Sequence, residues 1–503
     1  MINEALRRDM LAKGIDIDLS LDIVQGLADG RYAPAPALRA KGVPKVDGKA
    51  VLAMDGAPAL TLDAAELKAA RERLALMGVA LPEGEPLAGG GARYGQAALK
   101  ELGERLYAVT AWGVLNGGSA TSYADRKKNA GMGPGVWEAI REPFERLAPL
   151  CENRPKGATP AYINPDGSPG ESFLLLKMRS ALRKALRYRE RYGEPPRPLL
   201  PFFQMTSDGT DAPLTEAYAA YRRHPWLAPL IEKAGSDPTR PRSAVQPLIA
   251  ALTHSAEGLP RRVFDRAWGK VDSALALPGG HGQSFRVLAG VYRGLLADGY
   301  RYAYIGNVDN VGYSVDAASL AVTALTGAEA AFDFSYRTAV DVKGGILVAD
   351  ERGTMTVGDL GQAISQQEAA ALEAGGERIL FNCATGLFDL AALVPRLDEI
   401  AEKLPLRVSD QDKDAGRYSQ AEQSTWEVVG LLRRPIGLAV QKGERFLAAK
   451  LLAETILGSG LAAPESLPAE VAAAAAELSS GLARALGGHC GLALREGRWV
   501  AEG

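Results

Sequence analysis

Glycine-rich breaks, one strand-end acid and isolated lysines are the residues of this chain whose types and spacing could do chemistry. In Leu115-Asn116-Gly117-Gly118 an apolar run, LYAVTAWGVL, gives way to bare backbone, as at the carboxyl end of a buried strand. Ligands of open α/β sheets bind in the crevice outside those ends. Successive glycines can take positive φ and turn main-chain N–H groups toward a phosphate-bearing ligand. An ordinary tight turn is the plain alternative. Leu277-Pro278-Gly279-Gly280-His281-Gly282-Gln283 again bares backbone, and His281 has glycine on both sides. In Tyr304–Gly312, YIGNVDNVG, an apolar strand ends in alternating polar groups, so Asn307 and Asp309 leave the same side of an extended chain. A carboxylate there suits Mg2+, which is held by one or two carboxylates plus phosphate oxygens and water. A turn residue or helix cap accounts for Asp309 equally.

Among the cations, Lys156 follows a stiffening proline in Arg154-Pro155-Lys156-Gly157, and Lys450 is a lone charge in the apolar stretch ERFLAAKLL. A lysine snorkelling from the core edge explains Lys450 as well as a ligand contact does. Lys343, in Asp341-Val342-Lys343-Gly344-Gly345, is a further candidate, and a hairpin or bulge explains its glycines too.

The elements that must position these groups alternate. From about residue 105 to 405, strand-like runs at 106–115, 198–205, 302–308, 345–349 and 378–382 are separated by amphipathic stretches, the rhythm of an α/β sheet. SFLLLKMRSALRKALRYRERYG predicts a helix with Leu175, Met178, Leu182 and Leu186 inward and an arginine-rich solvated face. Residues 1–104 read as a mainly helical region, with a helix over Leu62–Met77 and a mobile Gly84–Gly95 joint. Residues 406–503 read as a small region in which GERFLAAKLLAETILG runs from strand to helix and an alanine-rich helix closes the chain.

Composition narrows the function classes. The 503 residues carry a net charge of −2, so nothing global draws the chain to nucleic acid or an anionic membrane. Three scattered cysteines, Cys151, Cys383 and Cys490, argue against a disulfide framework, and four histidines without a Cys/His cluster argue against structural zinc. With no signal-like start and no long apolar run, a cytoplasmic protein is expected.

In order and spacing, these motifs resemble the UTP–sugar-1-phosphate uridylyltransferase family, in particular the eukaryotic-type UDP-glucose pyrophosphorylases. The shared features are Leu115–Gly118, Pro155-Lys156, Ser172-Phe173-Leu174, Met205-Thr206-Ser207, Gly279–Gly282, Asn307–Gly312 with Asp316, Val340–Gly345, Phe381-Asn382-Cys383 and Arg445–Lys450. The likeness spans roughly residues 105–460. It implies a Rossmann-like, glycosyltransferase-A-type nucleotide-binding domain over 105–405, with a mixed central sheet flanked by helices.

By the resemblance, UTP lies on Leu115, Asn116, Gly117 and Gly118, with Gln246 and Gly280 framing the uracil. His281 touches the sugar phosphate, Asn307 faces the UDP-sugar, and Asn382 reaches the hexose. Asp309 holds Mg2+, while Lys156, Lys450 and Lys343 meet phosphates. The implied substrates are UTP and a sugar 1-phosphate. Glucose 1-phosphate leads, with N-acetylhexosamine 1-phosphate, a broader set of sugars, or a catalytically silent nucleotide-sugar binder as alternatives. The pocket around Asn382-Cys383 and Asp333–Tyr336 is expected to separate the sugars. The 36 residues from Ser119 to Arg154 interrupt the family pattern. They read as a lid or a surface excursion, and Arg126-Lys127-Lys128 within them makes Lys127 and Lys128 rivals of Lys156. The family's C-terminal β-helix is expected to be missing, and the sequence does not speak to oligomeric state.

Overall fold

The computed structural model describes residues 2–32, 38–338, 341, 343–462 and 464–502. Its centre is a ten-stranded sheet built from β1 (Val51–Ala53), β2 (Thr110–Leu115), β3 (Phe202–Ser207), β4 (Arg242–Gln246), β5 (Tyr302–Asn307), β6 (Ala330–Tyr336), β7 (Gly345–Ala349), β8 (Met355–Asp359), β9 (Leu380–Asp389) and β10 (Pro435–Val440). The order is β1-β10-β6-β9-β5-β2-β3-β4, with the β7–β8 hairpin joined at β9. All neighbours along this path run parallel except where β9 lies antiparallel between β6 and β5. The sheet is thus mixed and mainly parallel, as expected.

Strands buried on both faces read as unbroken apolar runs. That is why β2 and β5 are legible, whereas β1, β4, β6, β8 and β10 were not expected. PIGLAV and AAFDFSY are short runs that periodicity alone cannot tell from helix. The tenth strand also corrects the domain boundaries, because β1 and β10, from outside 105–405, lie side by side within the same sheet.

The helices that matter for the site are α1 (Gln96–Leu106), α2 (Pro134–Cys151), α3 (Phe173–Tyr192), α4 (Ala317–Thr326), α5 (Leu452–Gly458) and α6 (Ala469–Arg484). Helix α3 starts where the Ser172 side chain accepts the Leu175 N–H and stops at Gly193, φ +79°. Trp112, Tyr304 and Tyr313 interlock under the carboxyl ends of β2 and β5, with ring centroids 6.0 and 5.8 Å from Tyr313, and the Tyr313 hydroxyl donates to the Gly113 carbonyl (2.8 Å). Each such buried ring contributes about 1.5–3 kcal/mol.

Several expectations are corrected. Residues 1–104 also hold a three-stranded antiparallel sheet of 60–62, 85–86 and 92–94, besides contributing β1. The segment before Lys450 is a short helical turn, Lys442–Arg445, and not a strand. The last residues form a hairpin, Leu492–Arg495 with Arg498–Ala501, after the alanine-rich helix. All three cysteines are free and buried. Among the described residues no helix is long and apolar enough to cross a membrane.

Candidate functional site

Four parallel strands deliver their last residues, Leu115, Ser207, Gln246 and Asn307, to one edge of the sheet. Beyond Asn307 the chain turns sharply, and Asn310 holds the turn. Its side chain is fully buried, with Nδ2 donating to the Arg445 carbonyl (2.8 Å) and Oδ1 accepting from Gly312 N–H (3.0 Å) and Leu447 N–H (2.9 Å). Val311 N–H adds a bond to the Leu447 carbonyl (3.1 Å). A Cβ at Gly312 would stand 2.8 Å from the Arg445 carbonyl carbon, so glycine is needed for this close approach. The turn bearing Asp309 and the segment bearing Lys450 are thereby one unit.

Arg445 anchors that unit from below. It reaches Asp316 at 2.7 Å and Asp333 at 3.6 Å, and Asp316 also caps α4. Burial pushes the Asp333 carboxyl up to about 6.

Lys156 enters from the other side. Its Nζ donates to Asp309 Oδ2 at 2.9 Å and to the Ala449 carbonyl, and it lies 4.8 Å from the Tyr123 ring centroid. Its own N–H donates to the Gly118 carbonyl (3.0 Å), tying this lysine to the glycine loop. The long segment before it does not displace it, because its ends pair with each other. Ser119 bridges Pro155, and Ala120 N–H donates to the Arg154 carbonyl (2.9 Å). A closed excursion of this length adds little entropic cost.

Residues 119–154 are neither a lid nor a surface excursion. Tyr123, Ile140, Phe144 and Leu147 join the main core. Buried Asn129 accepts the Ala453 N–H (2.8 Å), which seats the segment on α5 just past Lys450. Lys127 and Lys128 are exposed on the short helix Arg126–Ala130, and Lys128 donates to Ser122 Oγ. Lys156 is the lysine that meets Asp309.

A cavity of about 620 Å3 opens beside this pair, lined by Gly280, His281, Asn307, Asp309, Asn382 and Lys450 among others. Its volume is that of a small-molecule site. Lys450 is exposed at its rim, with no salt bridge among the described residues. His281 Nδ1 accepts the Thr425 N–H (3.0 Å), so the neutral ring carries its proton on Nε2. Burial, reinforced by the Lys450 ammonium, pushes His281 down to about 4, and the ring is a neutral donor at pH 7.

Gln246 Nε2 donates to the Gly280 carbonyl and to Gln283 Oε1, both at 2.8 Å, which joins the end of β4 to the second glycine segment. Asn382 immediately precedes the bulge in β9, and its Oδ1 accepts the N–H of Ala384, whose φ is +51°. Such bulges re-aim side chains at sites.

The structure differs from the expectations at particular residues. Gly117 and Gly118 do not take positive φ, and a Cβ on Gly118 would meet nothing within 4 Å. Gly118 offers an open face and not a left-handed turn, whereas a Cβ on Gly117 would lie 3.4 Å from Gln246 Oε1. Gly280 is the glycine that needs its conformation, at φ +79° with a Cβ that would fall 2.4 Å from the Gln423 carbonyl oxygen. Asn116 turns its side chain into the core, donating to Gln204 Oε1 (3.0 Å), so only its backbone faces the loop. Leu115 is buried in the sheet.

Lys343 is exposed on a loop whose next residues, Gly344 and Gly345, line the cavity. Val340 and Val342 of that motif lie outside the described residues. Cys383 and Asp333 are sequestered in the core and do not line the cavity. That end of the cavity is lined instead by Val357, Asp359, Arg407 and Glu427, with Arg407 donating to Glu427 Oε1 (2.6 Å) and to Asp359. Sequence reading missed Arg407 and Glu427 because they lie on elements with no motif. It also missed the buried Lys177, although a lone cation in FLLLKM was a visible signal.

Among the described residues no group of three or more His, Cys, Asp or Glu side chains is placed to hold a metal. Asp309 Oδ2 is held by Lys156, while Oδ1 is buried without a partner. One carboxylate with an unsatisfied oxygen beside a cavity fits Mg2+, which brings water and phosphate oxygens as the rest of its shell. It does not fit a metal caged wholly by protein.

The fold defines the class first. A UDP-glucose phosphorylase structure from Trypanosoma brucei aligns with a TM-score of 0.53 at 18% identity over 90% of this chain and 77% of that one. A UDP-N-acetylglucosamine pyrophosphorylase structure from the same organism aligns at 0.58, 14% identity, and 90% and 79% coverage. The chain therefore shares the fold of these two structures.

The sequence narrows the class. The profile of the UTP–glucose-1-phosphate uridylyltransferase family matches residues 265–459. The potato (Solanum tuberosum) enzyme of that name is 27% identical over 182 residues, 36% of this chain and 38% of its own length. A probable one from Schizosaccharomyces pombe is 26% identical over 234 residues, 45% of this chain and 40% of its own. The chain thus spans well under half the length of these curated relatives. The resemblance to the eukaryotic-type UTP–sugar-1-phosphate uridylyltransferases read from the motifs is borne out. The glycine loop and Lys156 lie upstream of the matched residues, and the geometry brings them to the matched ones.

Proposed function

We propose that this chain is a nucleotidyltransferase that forms UDP-glucose and pyrophosphate from UTP and glucose 1-phosphate. The observation that carries the reading is the 2.9 Å pairing of Lys156 with Asp309 at a cavity that also takes in Gly280, His281, Asn382 and Lys450. An oxygen of the sugar phosphate attacks the α-phosphorus of UTP in line. The new P–O bond forms as the bond from the α-phosphorus to the pyrophosphate oxygen breaks, and no side-chain nucleophile is needed. Such transfers depend on positioning and on charge placed where it develops.

Each residue has a part that its surroundings support. The open face of Gly118, beside Gly117, admits the nucleotide. Gln246, its Nε2 already committed, has Oε1 left to accept the uracil N3–H. Neutral His281 offers Nε2–H to the sugar phosphate without its own titration near pH 7. Asn307 and Asn382 line the hexose side. Lys156 has donors to share between Asp309 and a phosphate, and Lys450 meets the polyanion at the rim. Asp309 would hold Mg2+, which when bound supplies neutralising charge between phosphate oxygens.

Pyrophosphate release from UTP and Mg2+ with glucose, N-acetylglucosamine, galactose and glucuronate 1-phosphates tests the reading. Highest kcat/KM with glucose 1-phosphate supports it. Preference for the acetamido sugar replaces the substrate but keeps the class. Tight UDP-sugar binding with no turnover of any sugar refutes the enzymatic reading.

A further inference from the structure

Lys177 is an ionisable side chain that neither the motifs nor the proposed chemistry uses, and burial pushes its ammonium down to about 7. It is 4% exposed, lying in the first turns of α3 between Leu176 and Met178. An ammonium buried among apolar groups is costly unless its donors are satisfied. Here Nζ donates to the Asn310 carbonyl at 2.7 Å and the Tyr313 carbonyl at 3.1 Å, and it lies 4.7 Å from the Tyr313 ring centroid. Those two carbonyls bracket the turn that begins one residue after Asp309.

The other bonds of that turn lead elsewhere. Asn310 and Val311 fasten it to residues 445–447. Lys177 fastens it to α3, whose first residue, Phe173, donates its N–H to the Thr159 carbonyl beyond the Lys156 turn (3.3 Å). One rigid helix therefore touches both the Asp309 turn and the Lys156 turn. A methionine would fill the same volume but leave the Tyr313 carbonyl unpaired and the Asn310 carbonyl with only the Tyr313 N–H, at 3.2 Å.

We propose that Lys177 is a positioning residue that fixes the Asp309 turn against α3 and so sets the separation of the Asp309 carboxylate from the Lys156 ammonium. This rests on the role given to Asp309 above. Lys177 itself touches no substrate.

The test compares Lys177→Met and Lys177→Gln with the wild type in two readouts: hydrogen exchange of the peptide covering 309–313, and steady-state kinetics. Lys177→Met is expected to lower kcat about tenfold or more, as misplacement of a reacting group does. The KM for UTP should stay within about twofold, since the UTP-facing loop is untouched. Exchange at 309–313 should quicken about tenfold, with the β6 peptide 330–336 unchanged, as local opening requires. Lys177→Gln, whose amide still donates but is one bond shorter, should fall between.

Wild-type kcat and exchange in Lys177→Met overturn the proposal. So does equal loosening of 330–336, which would mark a general packing role. Should Lys177→Met fail to fold, unchanged kcat and exchange in Lys177→Gln overturn it. A wild type inactive with every sugar refutes the function alone, because the exchange readout still reports the tie.

Discussion

Replacing Lys156 with methionine tests the site most directly. The Lys156 and Asp309 side chains are only 11% and 16% exposed, and their charges are 2.9 Å apart. With an effective dielectric constant of about 20, the gross Coulomb attraction is about 6 kcal/mol. Desolvation of both ions offsets much of that, but removing one partner strands the other. Asp309 Oδ1 already lacks a hydrogen bond, so the variant would leave both carboxylate oxygens unsatisfied. Breaking a buried pair this way costs about 3–5 kcal/mol, and the partial exposure of Asp309 brings the expectation to about 2–4.

In catalysis the loss of one electrostatic contact is expected to cost about 10²–10³ in kcat. Thermal unfolding and pyrophosphate release would be measured for Lys156→Met, Asp309→Asn and the double variant. The double variant should be more stable than Lys156→Met, because asparagine removes the stranded charge. An additive cycle, or a Lys156→Met rate within about threefold of wild type, would refute the reasoning.

Further outcomes follow from the same geometry. Gly118→Ala places its Cβ in open space and should leave thermal stability within about 0.5 kcal/mol while raising the KM for UTP. Gly280→Ala forces φ +79° on a residue whose Cβ meets a carbonyl at 2.4 Å, and should lose about 1–3 kcal/mol of stability besides weakening UTP. An unfolded histidine protonates near 6.5, whereas folded His281 does so near 4 and His489 near 3. Between those values the unfolded chain binds the extra protons. The stability these rings contribute is therefore complete above about pH 6.5 and lost as the pH falls toward 4. Melting temperatures from pH 7 to 5 should drop less steeply in His281→Asn. Lys127→Ala with Lys128→Ala should keep kcat within about twofold, and a larger loss would return those lysines to the site.

The sequence by itself determined the alternation of strands and helices, the buried runs of β2 and β5, and the long amphipathic α3. Those signals are local: an apolar run bounded by glycine, or a 3.6-residue period ended by a cap. It also carried the residues that meet in the cavity, because Gly280, His281, Asn307 and Asp309 stand where apolar runs break off and Lys450 is a lone charge in an apolar stretch. Only the tertiary structure decided that Lys156, and neither Lys127 nor Lys128, reaches Asp309. That outcome depends on Ser119 pairing with Pro155 across the whole intervening segment, a contact no local window contains. The same holds for β1 and β10 entering the central sheet from outside the expected domain, and for Asn116 turning inward. Pairing partners and side-chain direction are set by what packs opposite, and what packs opposite Lys177 or Gly280 lies more than a hundred residues away in the chain.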